Sequence, residues 1–158
     1  MTIYLEAPIQ DDDPLEGLCI FLAGGISNCW NWQNHAAAQL LSSKVFDYVV
    51  NPRRKDFDVT NKLETSRQIK WEYKHLDECS HVMFWFTDDT VQPITLFELG
   101  KMIGTDKKIY VGCNPQYERQ LDVVEQLALS RPDIKVWGSL DGMLDSIIAS
   151  NIDKRVYI

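Results

Sequence analysis

The residues of this sequence that could carry out chemistry include a glutamate that follows a polar loop. The loop spans residues 87–94, and a helical pattern from Thr95 to Ile103 contains Glu98. We expect a carboxylate in the first helical turn to stay ionised, because the positive end of the helix dipole favours the charged form. An ionised carboxylate that faces a pocket can attack the anomeric carbon of a sugar. Thr95 and Glu98 also match a capping box, in which the glutamate only satisfies backbone N–H groups, and both interpretations stay open.

Two further loops carry glycine or positive charge. Gly24-Gly25 follows an apolar run and lets the backbone approach a ligand closely, ahead of a helix that Ser27-Asn28 can cap. This loop matches neither G-x-G-x-x-G nor a P-loop, which argues against a dinucleotide or ATP site. Residues 51–56 hold the densest positive charge, and a ligand phosphate could pair with Arg53 or Arg54. The competing interpretation of the glycine loop is a plain strand-to-helix turn. The competing interpretation of residues 51–56 is a solvated loop or a set of structural ion pairs.

Alternating apolar runs and helical patterns position these loops. Apolar runs predict strands at 18–23, 45–50, 81–86, 108–112 and 134–136, and helices are predicted at 29–41, 61–79, 95–103, 118–130 and 139–149. Strands that are apolar throughout are buried on both faces, and their alternation with helices gives a parallel sheet. The pattern therefore predicts a five-stranded open α/β sandwich, preceded by a short edge strand at residues 3–5. Since ligands bind at the carboxyl ends of such strands, the loops after Ala23, Val50, Phe86 and Cys113 should form the site.

Composition excludes several classes of function. The chain has 158 residues, which suits one domain, and its net charge of −7 argues against binding a nucleic-acid polymer or an anionic membrane. The sequence has no apolar run long enough for a membrane span and no signal-peptide pattern at its start, so a cytoplasmic location is predicted. Cys19, Cys79 and Cys113 lie in or beside apolar segments and are predicted to be reduced, buried thiols. The cysteines and histidines lack the spacing of a metal site, and we predict neither a metal nor a cofactor.

Several segments occur in an order typical of one protein family. They are Ile20–Ile26, Asn51–Arg54, Trp71-Glu72, Phe84–Phe86, Ile94–Gly100 and Val111–Pro115 with Tyr117–Arg119. In this order they resemble the nucleoside 2-deoxyribosyltransferase superfamily, especially its short nucleoside 2-deoxyribosyltransferase-like branch. The resemblance implies a flavodoxin-like, Rossmann-like three-layer sandwich. We therefore expect an N-terminal extension over residues 1–17 and one such domain over residues 18–158, whose end at residues 155–158 could dock on a neighbouring copy.

The resemblance also implies a reaction. It implies cleavage of the N-glycosidic bond of a (deoxy)nucleoside or nucleotide through a glutamyl–glycosyl intermediate, with transfer to another base or to water. Glu98 matches the family nucleophile, and Glu72 matches the carboxylate that contacts or protonates the base. The partners implied are a small-molecule nucleoside or nucleotide and a second copy of the chain, in a homodimer or larger assembly. The substrate-binding candidates are Gly24, Gly25, Ser27, Asn51, Arg53, Arg54, Asp88, Asp89 and Gln92.

Two positions depart from the family pattern. Phe21 stands where the transferases carry a tyrosine whose hydroxyl orients the nucleophile, and Gln92 stands nearest to an aspartate that holds a sugar hydroxyl. Two other functions therefore stay open. One is a non-catalytic nucleotide-binding or sensor module, and the other is an N-glycosidase of another ribosylated small molecule such as NAD.

Overall fold

Strands and helices alternate along the part of the chain that the computed structural model describes, residues 1–9 and 13–152. The strands are β1 (Ile3–Glu6), β2 (Cys19–Gly24), β3 (Tyr48–Asn51), β4 (His81–Phe86), β5 (Lys108–Cys113) and β6 (Val136–Trp137). The helices are α1 (Trp32–Ser43), α2 (Lys62–Glu78), α3 (Pro93–Met102), α4 (Gln120–Ser130) and α5 (Leu140–Asn151). The segment that was predicted to dock on a neighbouring copy, residues 155–158, lies outside the described residues.

Within the described residues the strands form one parallel sheet of six, in the order β1-β3-β2-β4-β5-β6. The prediction of an α/β sandwich is confirmed, but the sheet has six strands rather than five. The additional strand is β1, which pairs with β3 from Ile3 opposite Tyr48 to Glu6 opposite Asn51. Without this edge strand, the remaining order is that of a flavodoxin-like sheet.

Helices cover both faces of the sheet, which explains why its central strands are apolar throughout. On one face Phe21 and Phe84 pack among the buried side chains of α2, α3 and α4. On the other face Ile20 and Met83 pack among those of α1 and α5. Every residue of β4 is buried, because this central strand is covered by helices on both faces of the sheet.

The strand order reverses between β2 and β4, and this reversal locates the crevice where such folds bind ligands. The chain leaves β2 toward β3 on one side, whereas β4 pairs with β2 on the other side. The loops that follow β2 and β4 therefore diverge and leave space between them at the carboxyl edge of the sheet. In the structure these two loops are residues 25–31 and 87–92, and both lie at this edge of the sheet.

The start of α1 differs from the prediction. Asn31 caps the helix, and its side-chain oxygen accepts a hydrogen bond from the Asn34 backbone N–H at 3.1 Å. The predicted cap at Ser27-Asn28 is wrong because Asn28 has a left-handed backbone, with φ of 58°, and the chain continues as a loop. The glycine loop is therefore longer than predicted. None of the helices in the described residues is long and apolar enough to cross a membrane.

The cysteines also differ from the prediction. Cys19 at the start of β2 and Cys79 at the end of α2 form a disulfide, with Cα atoms 4.9 Å apart. The pairing follows from topology, because Cys79 leads into β4 and β4 lies beside β2. The prediction of reduced thiols is wrong for this pair, whereas Cys29 and Cys113 are free and buried.

Candidate active site

A cavity of about 510 Å³ lies at the carboxyl ends of β2, β3 and β4. This volume is within the range of small-molecule sites. The glycine loop, the segment after β3, one face of α2 and the start of α3 line it. Of the predicted site residues, those that line the cavity are Gly24, Gly25, Ser27, Arg54, Glu72, Gln92 and Glu98. The loop after Cys113, which was also expected to contribute, is absent from the described lining.

Glu98 does not cap its helix. α3 begins at Pro93 after the N-cap Gln92, so Glu98 lies in the second turn and the first turn holds no acidic residue. Thr95 is inside the helix rather than at its cap, so the capping-box interpretation is wrong. The carboxylate of Glu98 instead belongs to the lining of the cavity. No local backbone requirement therefore explains a glutamate at this position.

The protonation of Glu98 also differs from the prediction. Burial raises the pKa of Glu98 from 4.5 to about 8, and the nearby Glu72 carboxylate contributes to the rise while the Lys101 ammonium opposes it. The sequence instead predicts that the helix dipole keeps this group ionised. The dipole acts mainly within the first turn, and desolvation therefore dominates at Glu98.

Glu72 reaches the same cavity from α2. Its carboxylate accepts a hydrogen bond from Gln68 Nε2 at 2.8 Å. Burial raises the pKa of Glu72, and the hydrogen bond from Gln68 partly opposes the rise. Burial thus makes both carboxyl groups easier to protonate than a free glutamate, and the charge of Glu72 adds to this effect at Glu98. Such a pair can supply a nucleophile and a proton donor to one bound molecule.

The glycine loop packs closely against neighbouring side chains and the sheet because Gly24 and Gly25 carry no Cβ. A Cβ on Gly25 would lie 2.4 Å from Cys29 Sγ and 2.7 Å from the side-chain amide carbon of Gln92. A Cβ on Gly24 would lie 2.4 Å from the ring of Trp32 and 2.5 Å from a backbone oxygen. The Gly25 carbonyl accepts hydrogen bonds from the Trp32 ring and from Gln33, each at 3.1 Å. The loop is therefore held in one position against the sheet.

Gln92 ties the glycine loop to the loop before α3. Its Oε1 accepts from the Gly25 backbone N–H at 3.0 Å, and its Nε2 donates to the carbonyls of Thr87 and Thr90 at 2.9 and 3.0 Å. The residue has a φ of 53°, a left-handed backbone that is uncommon for a side chain of this size. Gln92 lines the cavity as predicted, but these contacts give its amide a positioning role that the sequence did not indicate.

Arg53 lies outside the cavity lining, although it was predicted to bind substrate. Its Nη1 donates to Trp30 O and Gln33 Oε1 at 2.9 and 3.0 Å, and its Nη2 donates to Ile26 O and Cys29 O at 3.1 and 2.6 Å. Four of its five N–H donors are thus engaged with protein acceptors. Arg53 therefore holds the glycine loop in place through the loop carbonyls, and it does not have these donors available for a ligand phosphate.

Arg54 does line the cavity. It pairs with Glu64 at 2.6 Å, and its guanidinium carbon lies 4.9 Å from the centre of the Phe57 ring. Its Nη1 has no hydrogen-bond partner within the described part of the chain. Of the two arginines predicted to bind substrate, Arg54 is therefore the one that lines the cavity, although its unpartnered Nη1 is buried.

The remaining predicted residues lie away from the lining. Asn51 is buried and bonds the Tyr4 hydroxyl and the Arg53 backbone N–H. Asp88 and Asp89 are exposed, and Asp89 accepts from a backbone N–H of the glycine loop at 3.2 Å. In the described residues, no cluster of three His, Cys, Asp or Glu side chains could hold a metal ion.

Sequence reasoning missed Gln68, which lies on α2 one turn before Glu72 and lines the cavity. Its spacing of four residues from Glu72 was a usable signal, because residues four apart share a helix face.

Comparison with known proteins adds one finding. A family model described as nucleoside 2-deoxyribosyltransferase like matches residues 17–117, which is more than half of the chain. The match runs from the start of β2 to just beyond β5 and includes every described residue that lines the cavity. No curated protein matches the chain.

Proposed function

The chain belongs to the nucleoside 2-deoxyribosyltransferase-like family, and from this premise we propose that it cleaves the N-glycosidic bond of a nucleoside or nucleotide. The observation that carries the proposal is the pair of carboxylates, Glu98 on α3 and Glu72 on α2, in one cavity of suitable size. Both have a raised pKa and neither caps a helix. Perturbed, mutually repelling carboxylates in a cleft are typical of acid–base and nucleophilic catalysis.

In the first step, the ionised Glu98 carboxylate attacks C1′ of the sugar. The C1′–N bond breaks, its electron pair moves to the base, and Glu72 donates a proton to the base. The sugar remains bound to Glu98 as an ester. The transition state carries positive charge near C1′, which the Glu98 carboxylate stabilises.

This first step needs one proton on the two carboxylates, and we infer that bound substrate determines which of them holds it. Positive charge that develops at C1′ favours an ionised Glu98, whereas a lone pair on the base favours a protonated Glu72. In the second step, another base or a water molecule attacks C1′ and releases Glu98. The proton lost by the attacking group returns to Glu72, which restores the starting state.

The test is a chromatographic screen for released base. The substrates are 2′-deoxynucleosides, their 5′-monophosphates, ribonucleosides and NAD, each with and without a second free base. We expect release from at least one nucleoside or monophosphate, and loss of release in Glu98→Ala. Glu125→Gln changes an exposed glutamate on α4 and is the control, because it should leave release unchanged.

Trapping the intermediate makes the test specific for mechanism. Acid quenching of the working enzyme should leave one sugar attached to the peptide that contains Glu98, detected by mass spectrometry. A fully active Glu98→Ala variant would falsify the proposed nucleophile. Release with NAD alone would assign the enzyme to the N-glycosidases of other ribosylated molecules.

We further propose that two copies of the chain associate next to the cavity. Ile69 on α2 and Ile94 and Phe97 on α3 are 60%, 64% and 72% exposed, and the two isoleucines also line the cavity. Exposed apolar side chains grouped beside a site are typical of interfaces. Sedimentation should give a dimer or larger species for the wild type and a monomer for Phe97→Asp.

A non-catalytic nucleotide-binding module is the second candidate. Two observations favour it: Phe21 lacks the hydroxyl that orients the family nucleophile, and the pKa of Glu98 near 8 leaves much of this group protonated at neutral pH. Calorimetry that detects tight binding of a nucleoside or monophosphate, with no base released in the screen, would identify this function.

A further inference from the structure

A series of hydrogen bonds runs from the N-terminal strand β1 toward the glycine loop of the cavity. At its outer end, the Glu6 carboxylate accepts from the Tyr4 hydroxyl at 2.8 Å. The Tyr4 oxygen accepts in turn from Asn51 Nδ2 at 2.8 Å, and Asn51 Oδ1 accepts from the Arg53 backbone N–H at 2.9 Å. These bonds therefore join β1, through the last residue of β3, to Arg53.

The side chain of Arg53 extends the series to the cavity itself. Arg53 Nη1 donates to Gln33 Oε1 at 3.0 Å, and Gln33 Nε2 donates to the Gly25 carbonyl at 3.1 Å. A guanidinium can only donate, so the Gln33 oxygen must face Arg53 and its nitrogen is left for Gly25. Gln33 is fully buried, and Gly25 lines the cavity. We call the whole series the Glu6–Gly25 network, and its members are Glu6, Tyr4, Asn51, Arg53, Gln33 and Gly25.

The Tyr4 hydroxyl helps to determine the orientation of the Asn51 amide. An ionised carboxylate can only accept, so Tyr4 donates its one hydrogen to Glu6, and its oxygen is left to accept from the Asn51 nitrogen. Burial raises the pKa of Tyr4 to about 12, so the hydroxyl keeps this hydrogen at neutral pH. With its nitrogen bound to Tyr4, Asn51 presents its oxygen to the Arg53 backbone N–H. Asn51 is only 2% exposed, so water competes little for these bonds.

We propose that Tyr4 is a positioning residue of the active site, and that β1 holds the glycine loop in its working position through the Glu6–Gly25 network. This inference rests on the proposed function and adds an element that the family match does not include, because the match starts at residue 17 whereas β1 spans Ile3–Glu6. Tyr4 is absent from the described lining of the cavity, so it acts through Asn51 and Arg53 rather than by touching substrate. Side chains that are bound at both ends keep one orientation, and such support holds a site in its productive geometry.

The first experiment removes the hydroxyl and keeps the ring, in Tyr4→Phe. The Asn51 nitrogen then loses its partner, and we expect kcat/KM for base release, measured per folded molecule, to fall by roughly three- to tenfold, the effect of one hydrogen bond. Tyr48→Phe removes a hydroxyl from β3 that is not part of the network and is the matched control. If Tyr4 were merely structural, its loss would lower the free energy of unfolding in urea but leave kcat and KM of the folded molecules unchanged. That result would overturn the inference.

The second experiment tests the route by which Tyr4 acts. Asn51→Leu keeps the approximate size of the side chain and interrupts the network one step nearer to the cavity. If Tyr4 acts through Asn51, then adding Tyr4→Phe to Asn51→Leu should cause little further loss of base release, because the bond it removes is already broken. Losses that multiply in the double variant would contradict the inference, since Tyr4 would then act by another route.

Amide hydrogen exchange measures the glycine loop directly and needs no substrate. The Gly25 backbone N–H donates to Gln92 Oε1, so its exchange reports whether the loop keeps its position. We expect Tyr4→Phe to speed exchange at Gly25 by a larger factor than in the central strand β4, whereas Tyr48→Phe should not. Unchanged exchange at Gly25 would overturn the inference, as would an increase no larger than that in β4, which reports unfolding of the whole domain.

Failure of this inference can be distinguished from failure of the proposed function. If the wild type releases no base from any nucleoside, the proposed function fails, and hydrogen exchange at Gly25 still tests how the loop is held. If Tyr4→Phe does not fold, Glu6→Gln takes its place. An amide can donate as well as accept, so Glu6→Gln no longer fixes the direction of the Tyr4 hydroxyl, and it should speed exchange at Gly25 in the same way.

Discussion

Replacing Glu98 by glutamine should stabilise the fold while it removes activity. Burial raises the pKa of Glu98 to about 8 in the folded protein, against an ordinary value of 4.5. When the pH rises above 4.5, the unfolded chain loses this proton first, and folding then requires proton uptake. Glu98 therefore destabilises the fold progressively between pH 4.5 and about pH 8, and the stability lost there is not regained at higher pH.

The size of the effect follows from the two pKa values. Since a tenfold change in proton affinity corresponds to about 1.4 kcal/mol, a rise from 4.5 to about 8 lowers the free energy of unfolding by about 4 kcal/mol at pH 8. The same relation gives about 2 kcal/mol at pH 6 and almost nothing at pH 4. Glu98→Gln keeps the shape of the side chain and removes its charge, so it recovers this energy. It also relieves Glu72 of a repelling neighbour.

The measurement is the free energy of unfolding by urea for wild type and Glu98→Gln, from pH 4 to pH 9. We expect free energies of unfolding that coincide near pH 4 and separate steadily toward pH 8, where the variant should be about 4 kcal/mol more stable than the wild type. Glu125→Gln, an exposed change on α4, should track the wild type throughout. A Glu98→Gln variant whose advantage is the same at pH 4 and pH 8 would refute the reasoning, as would a less stable variant.

Three other perturbations test the site. The rate of base release should have a bell-shaped dependence on pH, because the mechanism needs one of the two carboxyl groups, Glu98 or Glu72, protonated and the other ionised. The falling limb of the profile should lie near pH 8 and should move in Glu72→Gln. A profile that is flat from pH 6 to pH 9 contradicts this requirement for one proton. Gly25→Ala should lower the free energy of unfolding by about 1–3 kcal/mol and slow base release, because the new Cβ would lie 2.4 Å from Cys29 Sγ. Gly104→Ala is the control in both assays, because a Cβ on Gly104 would have no atom within 4 Å. Arg53→Lys should slow release from nucleosides and from monophosphates by the same factor, because the lysine cannot reproduce the forked contacts to the glycine loop. A loss confined to monophosphates would instead make Arg53 a phosphate ligand.

The parts of the fold that depend on local pattern were predictable. The apolar run at residues 81–86 predicted β4, and the alternation of such runs with helices predicted a parallel sheet with a site at its carboxyl edge. Long-range contacts were not predictable in this way. Arg53 looks like a ligand for anions in the sequence, but its partners are carbonyls more than twenty residues earlier in the chain. The charge state of Glu98 was also mispredicted, because it depends on how deeply α2 and α3 bury the carboxylate.

The polar residues around the cavity divide into two groups with different uses. Arg53 and Gln92 have their donors and acceptors engaged by backbone groups, and they hold the glycine loop in place. Glu98, Glu72 and Gln68 instead keep a raised pKa or an unpartnered atom inside the fold, although each arrangement lowers stability. A fold under selection for stability alone would replace such groups, so their grouping in one cavity supports the proposed active site. The hydrogen bonds of Arg53 and Gln92 contribute to this site in another way, because two repelling carboxylates stay in one cavity only where the surrounding structure is held rigidly in place.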